Sequence, residues 1–238
     1  MSPILVNPVF CAIDTTDVDK ATTLARTVRG LVGGVKLGLE MFCAQGPLAI
    51  RRIAGEQPLF LDLKLHDIPN TVAAAVRAVA PIRPDFLTVH ASGGAAMLRA
   101  AAEAAAETAA PDGNRTRLLG VTVLTSLDDA DLDGVGQRPP VAGQVARLAD
   151  LAQRCGLDGV ICSPHEVAAL RAQCGPDFRL VVPGIRPAGA ATGDQKRVMT
   201  PAEAMRLGAD HLVIGRPITA AADPAVAARA IRDELTGP

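Results

Sequence analysis

The run Leu59-Phe60-Leu61-Asp62-Leu63-Lys64-Leu65 places two opposite charges two positions apart in an otherwise apolar stretch. In an extended strand alternate side chains share a face. Leu59, Leu61, Leu63 and Leu65 therefore lie on one side, suited to packing on helices, and Phe60, Asp62 and Lys64 lie on the other. A buried Asp–Lys pair is open to two readings, a structural ion pair or a pair that does chemistry. Lys36, in the run 34–38, and Asp67, three residues after Lys64, favour the second. Gathering several alternating charges in a low-dielectric place is costly, and chains that do so commonly use them. Lysine is also scarce, being confined to Lys20, Lys36, Lys64 and Lys196. A compact, titratable ammonium is one thing a guanidinium cannot replace.

Further polar residues fall where apolar runs end. Asp14, His90, Thr125, Ser126, Arg186 and Arg216 each follow such a run. Arg186 and the pair Gly215-Arg216 suit a phosphate, since Arg binds it bidentately and Gly lets backbone N–H groups approach. Residues 188–197 carry Gly189 and Gly193 and read as a mobile lid, with Gln195 on it. Asp14 and Thr125 suit recognition of a sugar or base. Asp14 equally suits a helix cap, because Asp14-Thr-Thr-Asp17 precedes a helical pattern. His90 reads more readily as a histidine lining the interior than as a catalytic one. His66, His165 and His211 have no chemical reading.

The elements that must position these groups alternate regularly. Apolar runs at 9–14, 34–38, 58–65, 86–91, 118–125, 159–163, 179–185 and 211–216 read as eight strands. Ala-rich helical stretches such as Ala73–Ala80, Ala95–Glu107, Gln144–Arg154 and Ala225–Leu235 fall between them. Alternation implies parallel strands with right-handed crossovers, and eight units in 238 residues fit one α/β domain over 1–238, a single (β/α)8 barrel. In that architecture the active site lies at the C-terminal ends of the strands. Ser163-Pro164-His165-Glu166 and Thr200-Pro201-Ala202-Glu203 read as helix starts. The run Gly156-Leu157-Asp158-Gly159-Val160-Ile161-Cys162 echoes Gly208-Ala209-Asp210-His211-Leu212-Val213-Ile214, as repeated loop–strand units would. Residues 128–140 form the longest loop candidate, expected to cover one end of the barrel.

Composition narrows the function. Hydrophobic residues are 49% and aromatics 2%, with no Trp or Tyr, which predicts an aliphatic core. A net charge of -1 without basic runs, together with so few stacking side chains, argues against nucleic acid as a partner. No apolar run reaches a membrane span, and 1–10 lacks the basic start of a signal peptide. Cys11, Cys43, Cys155, Cys162 and Cys174 are odd in number and form no CxxC, so buried free thiols in a reducing cytoplasm are expected.

The run from Asp62 through Asp67-Ile68-Pro69-Asn70 to Thr71 resembles the signature of orotidine 5'-phosphate decarboxylases. The resemblance extends over nearly the whole chain, through Ala12-Ile13-Asp14, Lys36-Leu37-Gly38, Thr88-Val89-His90-Ala91, Val123-Leu124-Thr125-Ser126, Pro183-Gly184-Ile185-Arg186-Pro187 and Ile214-Gly215-Arg216-Pro217. It implies decarboxylation of orotidine 5'-monophosphate to uridine 5'-monophosphate, without cofactor or metal. It implies Lys64 as proton donor to C6, Asp62 beside the departing carboxylate, and Lys36 and Asp67 completing the alternating charges. It further implies ribose contacts from Asp14 and Lys36, a pyrimidine contact from Ser126, and phosphate contacts from Gln195, Arg186 and Arg216. A homodimer is implied as well, in which Asp67 and Thr71 reach the partner's site. Two rivals stand beside it. A Mg²⁺-dependent sugar-phosphate decarboxylase or aldolase shares Asp62, Lys64 and Asp67 but needs a further carboxylate, for which Glu40 is the nearest candidate. A non-catalytic phosphate-binding barrel gives no reason to bury Asp62 with Lys64.

Overall fold

The computed structural model describes residues 7–187 and 199–236. Eight parallel strands close into a barrel in chain order: β1 (Val9–Ala12), β2 (Gly34–Gly38), β3 (Leu59–Leu65), β4 (Phe86–His90), β5 (Arg117–Val121), β6 (Gly159–Ile161), β7 (Arg179–Val182) and β8 (His211–Ile214), with β8 pairing back onto β1. Around them run α1 (Val18–Thr27), α2 (Leu39–Ala54), α3 (Pro69–Val79), α4 (Gly94–Glu107), α5 (Asp129–Gly134), α6 (Val141–Arg154), α7 (Val167–Cys174), α8 (Pro201–Arg206), α9 (Arg216–Thr219) and α10 (Pro224–Thr236). Each expected strand is present. β5 stops at Val121 rather than Thr125, because β6 is only three residues long and offers no further partner. Thr122 instead donates its hydroxyl to the Ile161 carbonyl at 2.9 Å, and the chain turns over the mouth. The expected loop 128–140 contains α5, which Asp128 caps by accepting from the Ala130 and Asp131 N–H groups.

The period of two holds along the strands. Leu59, Leu61 and Leu63 face outward into the layer shared with the helices, while Phe60 faces in with Phe10, Phe86, Leu119, Val181 and Val213. The larger core between strands and helices is aliphatic, as expected, while the small barrel interior is centred on aromatics. Phe10, Phe60 and Phe86 pack edge to face, with centroids 5.5 to 5.9 Å apart. Few aromatics in the chain did not mean few at its centre, because three of the five Phe converge there.

The sequence echo has a structural cause. Asp85, Asp158 and Asp210 precede β4, β6 and β8, and their carboxylates accept the N–H of Leu59, Leu118 and Leu180 at 2.8, 2.8 and 2.7 Å. Each returns its own N–H to the carbonyl of that same residue, at 2.8, 3.0 and 2.9 Å. These clamps fix the starts of alternate strands in the closed sheet. At the helix starts, Thr200 Oγ1 and the Glu203 carboxylate cap α8 reciprocally, and Glu166 accepts the Ser163 N–H at 2.7 Å.

His211 sits at the floor of the barrel, its ring against Phe10 and Phe86. Burial lowers its pKa from 6.5 to about 4. The unfolded chain takes up that proton near pH 6.5, the folded chain only near 4, so stability is whole above the first value and falls as pH drops toward the second. The loss reaches about 3 kcal/mol at full effect. His90, also lowered by burial, adds a loss of the same sign. Thermal unfolding followed from pH 7 to pH 4 should show a falling midpoint, and a shallower fall in His211→Phe. Parallel curves would refute the assignment.

Candidate active site

All the groups that converge do so at the C-terminal mouth, and β3 is the centre. Lys64 Nζ donates to Asp62 Oδ2 at 2.7 Å. Lys36 Nζ, from β2, lies 3.6 Å from the same oxygen and 3.4 Å from Oδ1 of Asp14, just beyond β1. Asp14, Lys36, Asp62 and Lys64 thus alternate in sign across the mouth. The inner members are well covered, with side chains 13% exposed at Asp62 and 11% at Lys36. Burial alone would raise the Asp62 pKa. The Lys36 and Lys64 ammoniums, with hydrogen bonds from Lys64 and Thr88, outweigh it and hold Asp62 below its ordinary value. The carboxylate stays ionised at neutral pH.

The backbone around the pair is irregular. The β3–β4 register shifts between Leu61 and Leu65, and Lys64 has φ 49°, in the left-handed region. For a residue with a Cβ this costs about 1–2 kcal/mol. Thr88, on β4 and fully buried, closes the gap. Its Oγ1 accepts the Lys64 N–H at 2.8 Å and donates to Asp62 Oδ1 at 2.9 Å. Sequence reasoning assigned Thr88 no role. The signal was present, since the period of two puts this hydroxyl on the inward face that carries Phe86.

The charged row divides two small cavities. One of 150 Å³ is polar and touches Asp14, Gly38 and Glu40. The other, 190 Å³, is walled by Phe60, Val121, Ile161, Pro183 and Val213, with Thr125 at its edge. Lys36, Asp62 and Lys64 line both. An ammonium beside an apolar wall, with a fixed carboxylate behind it, can stabilise and protonate a carbanion on a flat ring. A larger cavity of 610 Å³ lies at the opposite end, among Arg83, Arg117, Arg179 and His211.

The remaining expected residues divide. Asp14 is no helix cap, since Asp17 caps α1 by accepting from the Asp19 and Lys20 N–H groups at 3.0 Å. Asp14 is left beside Lys36. Ser126 is exposed and lines neither mouth cavity. Arg186 is buried just past β7, its backbone N–H bonded to the Met199 carbonyl at 3.0 Å and its guanidinium donating to the Ile185 carbonyl at 3.1 Å. Gly215 caps α9, whose first residue is Arg216. Gln195 lies outside the described residues. Asp67 does not join the charge row of its own chain. Past Leu65 the chain turns outward, and Asp67 Oδ1 accepts the Ile68 N–H at 2.6 Å. Asp67 and Thr71 are both exposed, with Ile68 between them 66% exposed. His90 packs against His66, centroids 5.3 Å apart, and its lowered pKa keeps it neutral. Glu40 is exposed in the first turn of α2. Among the described residues no cluster of three or more His, Cys, Asp or Glu is placed to hold a metal ion. The five cysteines are free, and four are buried; Cys43 is exposed, against expectation. Burial raises the Cys11 thiol to about 12, so it is no nucleophile.

A family model described as orotidine 5'-phosphate decarboxylase / HUMPS matches residues 7–231. The chain belongs to that family. It is 58% identical over 233 residues to the orotidine 5'-phosphate decarboxylase of Paramagnetospirillum magneticum, covering 97% of this chain and 99% of that one. It is 57% identical to that of Rhodospirillum rubrum, covering 100% and 97%. Among solved structures, the orotidine 5'-phosphate decarboxylase of Lactobacillus acidophilus superposes with a TM-score of 0.83 at 38% identity, covering 97% of this chain and 100% of that one. These findings agree with the closed eight-stranded barrel and disfavour the two rivals.

Proposed function

We infer that this chain is a carbon–carbon lyase that converts orotidine 5'-monophosphate to uridine 5'-monophosphate and CO2, the last step of de novo UMP synthesis. The observation that carries the reading is the Lys64 ammonium, held 2.7 Å from an ionised Asp62 beside an apolar wall. In the step, the bond from C6 to the carboxylate carbon breaks and CO2 leaves. The electron pair stays on C6, and Lys64 delivers a proton there. Its neutral amine then regains a proton from solvent. Fixed charges in a water-poor site supply the stabilisation, so no cofactor is needed. Asp62 sits where the substrate carboxylate arrives. Lys36 and Asp14 hold ribose hydroxyls, and Thr125 and Ser126 the base. Arg186, Gly215 and Arg216, past the ends of the neighbouring strands β7 and β8, take the phosphate with Gln195. The whole chain, 1–238, acts as one catalytic domain.

Mixing the purified protein with orotidine 5'-monophosphate and excess chelator tests this directly. Rapid loss of the orotate absorbance is expected, and no change with folded protein would overturn it.

The active form is a homodimer in which Asp67 and Thr71 serve the partner's site. Their exposure, and their separation from their own charge row, support this. Mixing Lys64→Ala with Asp67→Asn, each nearly inactive alone, should then restore activity, because a heterodimer contains one intact site. No recovery in a mixture shown to exchange subunits would refute the shared site. No helix among the described residues is long and apolar enough to cross a membrane. The free thiols fit the reducing cytoplasm proposed as its location.

A further inference from the structure

We propose that Thr88 is a positioning residue that locks Asp62 and Lys64 into register with each other. The inference rests on the reading of Asp62 and Lys64 as the reacting pair.

The geometry leaves the hydroxyl one arrangement. Thr88 Oγ1 accepts the Lys64 N–H at 2.8 Å, so its single proton is directed to the other neighbour, Asp62 Oδ1 at 2.9 Å. The two carboxylate oxygens are thereby assigned different partners. Oδ1 belongs to Thr88, and Oδ2 is left for Lys64 Nζ at 2.7 Å and Lys36 Nζ at 3.6 Å. The same hydroxyl satisfies an N–H that the β3–β4 ladder abandons where the register shifts. Lys64 needs that support, since it holds a left-handed conformation, φ 49°, that its Cβ disfavours. One buried hydroxyl thus fixes the backbone of one charged residue and the carboxylate plane of the other. A threonine suits the place because its hydroxyl bridges both, and its methyl keeps the apolar packing of a fully buried position.

The lock also holds Asp62 ionised. An incoming substrate carboxylate opposes the charge on Asp62, and a hydrogen bond donated to the carboxylate counters it. Removing the hydroxyl therefore raises the pH at which Asp62 takes up a proton.

Thr88→Val keeps shape and removes the hydroxyl. It should lower kcat by roughly 10- to 100-fold with KM little changed, since small misplacements of reacting groups cost that much. The acid limb of kcat/KM should move to higher pH. Thr88→Ser keeps the hydroxyl and should restore both the rate and the native acid limb. A Ser variant as defective as the Val variant would overturn the proposal in favour of packing, as would an unmoved acid limb in Thr88→Val. Should Thr88→Val fail to fold, Thr88→Ala is read for the same limb. Lys64→Ala measured alongside separates the two levels. An active Lys64→Ala overturns the site reading and this inference with it. An inactive Lys64→Ala beside a native-like Thr88→Val overturns only the role of Thr88.

Discussion

Lys64→Ala is expected to lower the decarboxylation rate by about 10⁴-fold or more. Loss of a positioned general acid costs up to about 10⁴, and loss of a fixed charge at the developing carbanion adds to it. The other ammonium at the same Asp62 oxygen, Lys36 Nζ, is held between two carboxylates, 3.4 Å from Asp14 and 3.6 Å from Asp62, and is not expected to take over the proton. The fold should survive, because the Lys64 side chain is 31% exposed and Asp62 keeps Lys36 and the Thr88 hydroxyl. Binding of uridine 5'-monophosphate should survive too, since the arginines assigned to phosphate lie past other strands. Single-turnover absorbance gives the rate and titration calorimetry the affinity. A rate within tenfold of native would remove Lys64 from the chemistry. Affinity lost together with the rate would make it a binding residue instead.

That Lys64 was legible in the sequence at all follows from alternation. A strand buried on both faces should be apolar throughout, so polar residues on the inward face of Leu59–Leu65 stand out. The same signal marks Lys36, and it would have marked Thr88. Threonine is common in strands for its shape, however, and its hydroxyl shows its use only when the partner strand is in place. The strand order was equally readable, because short apolar runs alternating with helical patterns leave few topologies. What alternation cannot reveal is where a strand loses its partner. The bulge after Leu61 depends on how β3 meets β4, and the early end of β5 on the shortness of β6. Asp67 illustrates the other limit. Its spacing from Lys64 invited it into one charge row, yet the chain turns outward past Leu65 and leaves Asp67 exposed, apart from that row. The Asp158 and Asp210 echo was visible as a repeat, while its meaning, a carboxylate clamp on the preceding strand, needed neighbours far apart in sequence.

Asp62→Asn separates two accounts of catalysis. The amide has the shape of the carboxylate and can still accept from Thr88, so geometry is nearly kept while charge is removed. Without that charge the Lys64 ammonium loses the partner at 2.7 Å that aims it, and kcat should fall by about 10³-fold. The effect on KM is the discriminating one. If Asp62 works partly by opposing the substrate carboxylate, its removal relieves the bound ground state, and KM falls along with kcat. If it only positions Lys64, KM stays level while kcat drops. A rise in KM would contradict the first account outright. Stability gives an independent check on the charge. The Asp62 pKa is lowered in the folded chain, so its contribution is present above the ordinary carboxylate range and lost as pH falls through the folded value. Asp62→Asn should therefore melt below native at pH 7, with Lys36 and Lys64 left to repel each other, and the gap should close in strong acid. A gap that persists there would mean the substitution disturbs packing rather than charge. The KM change would then say nothing about ground-state repulsion.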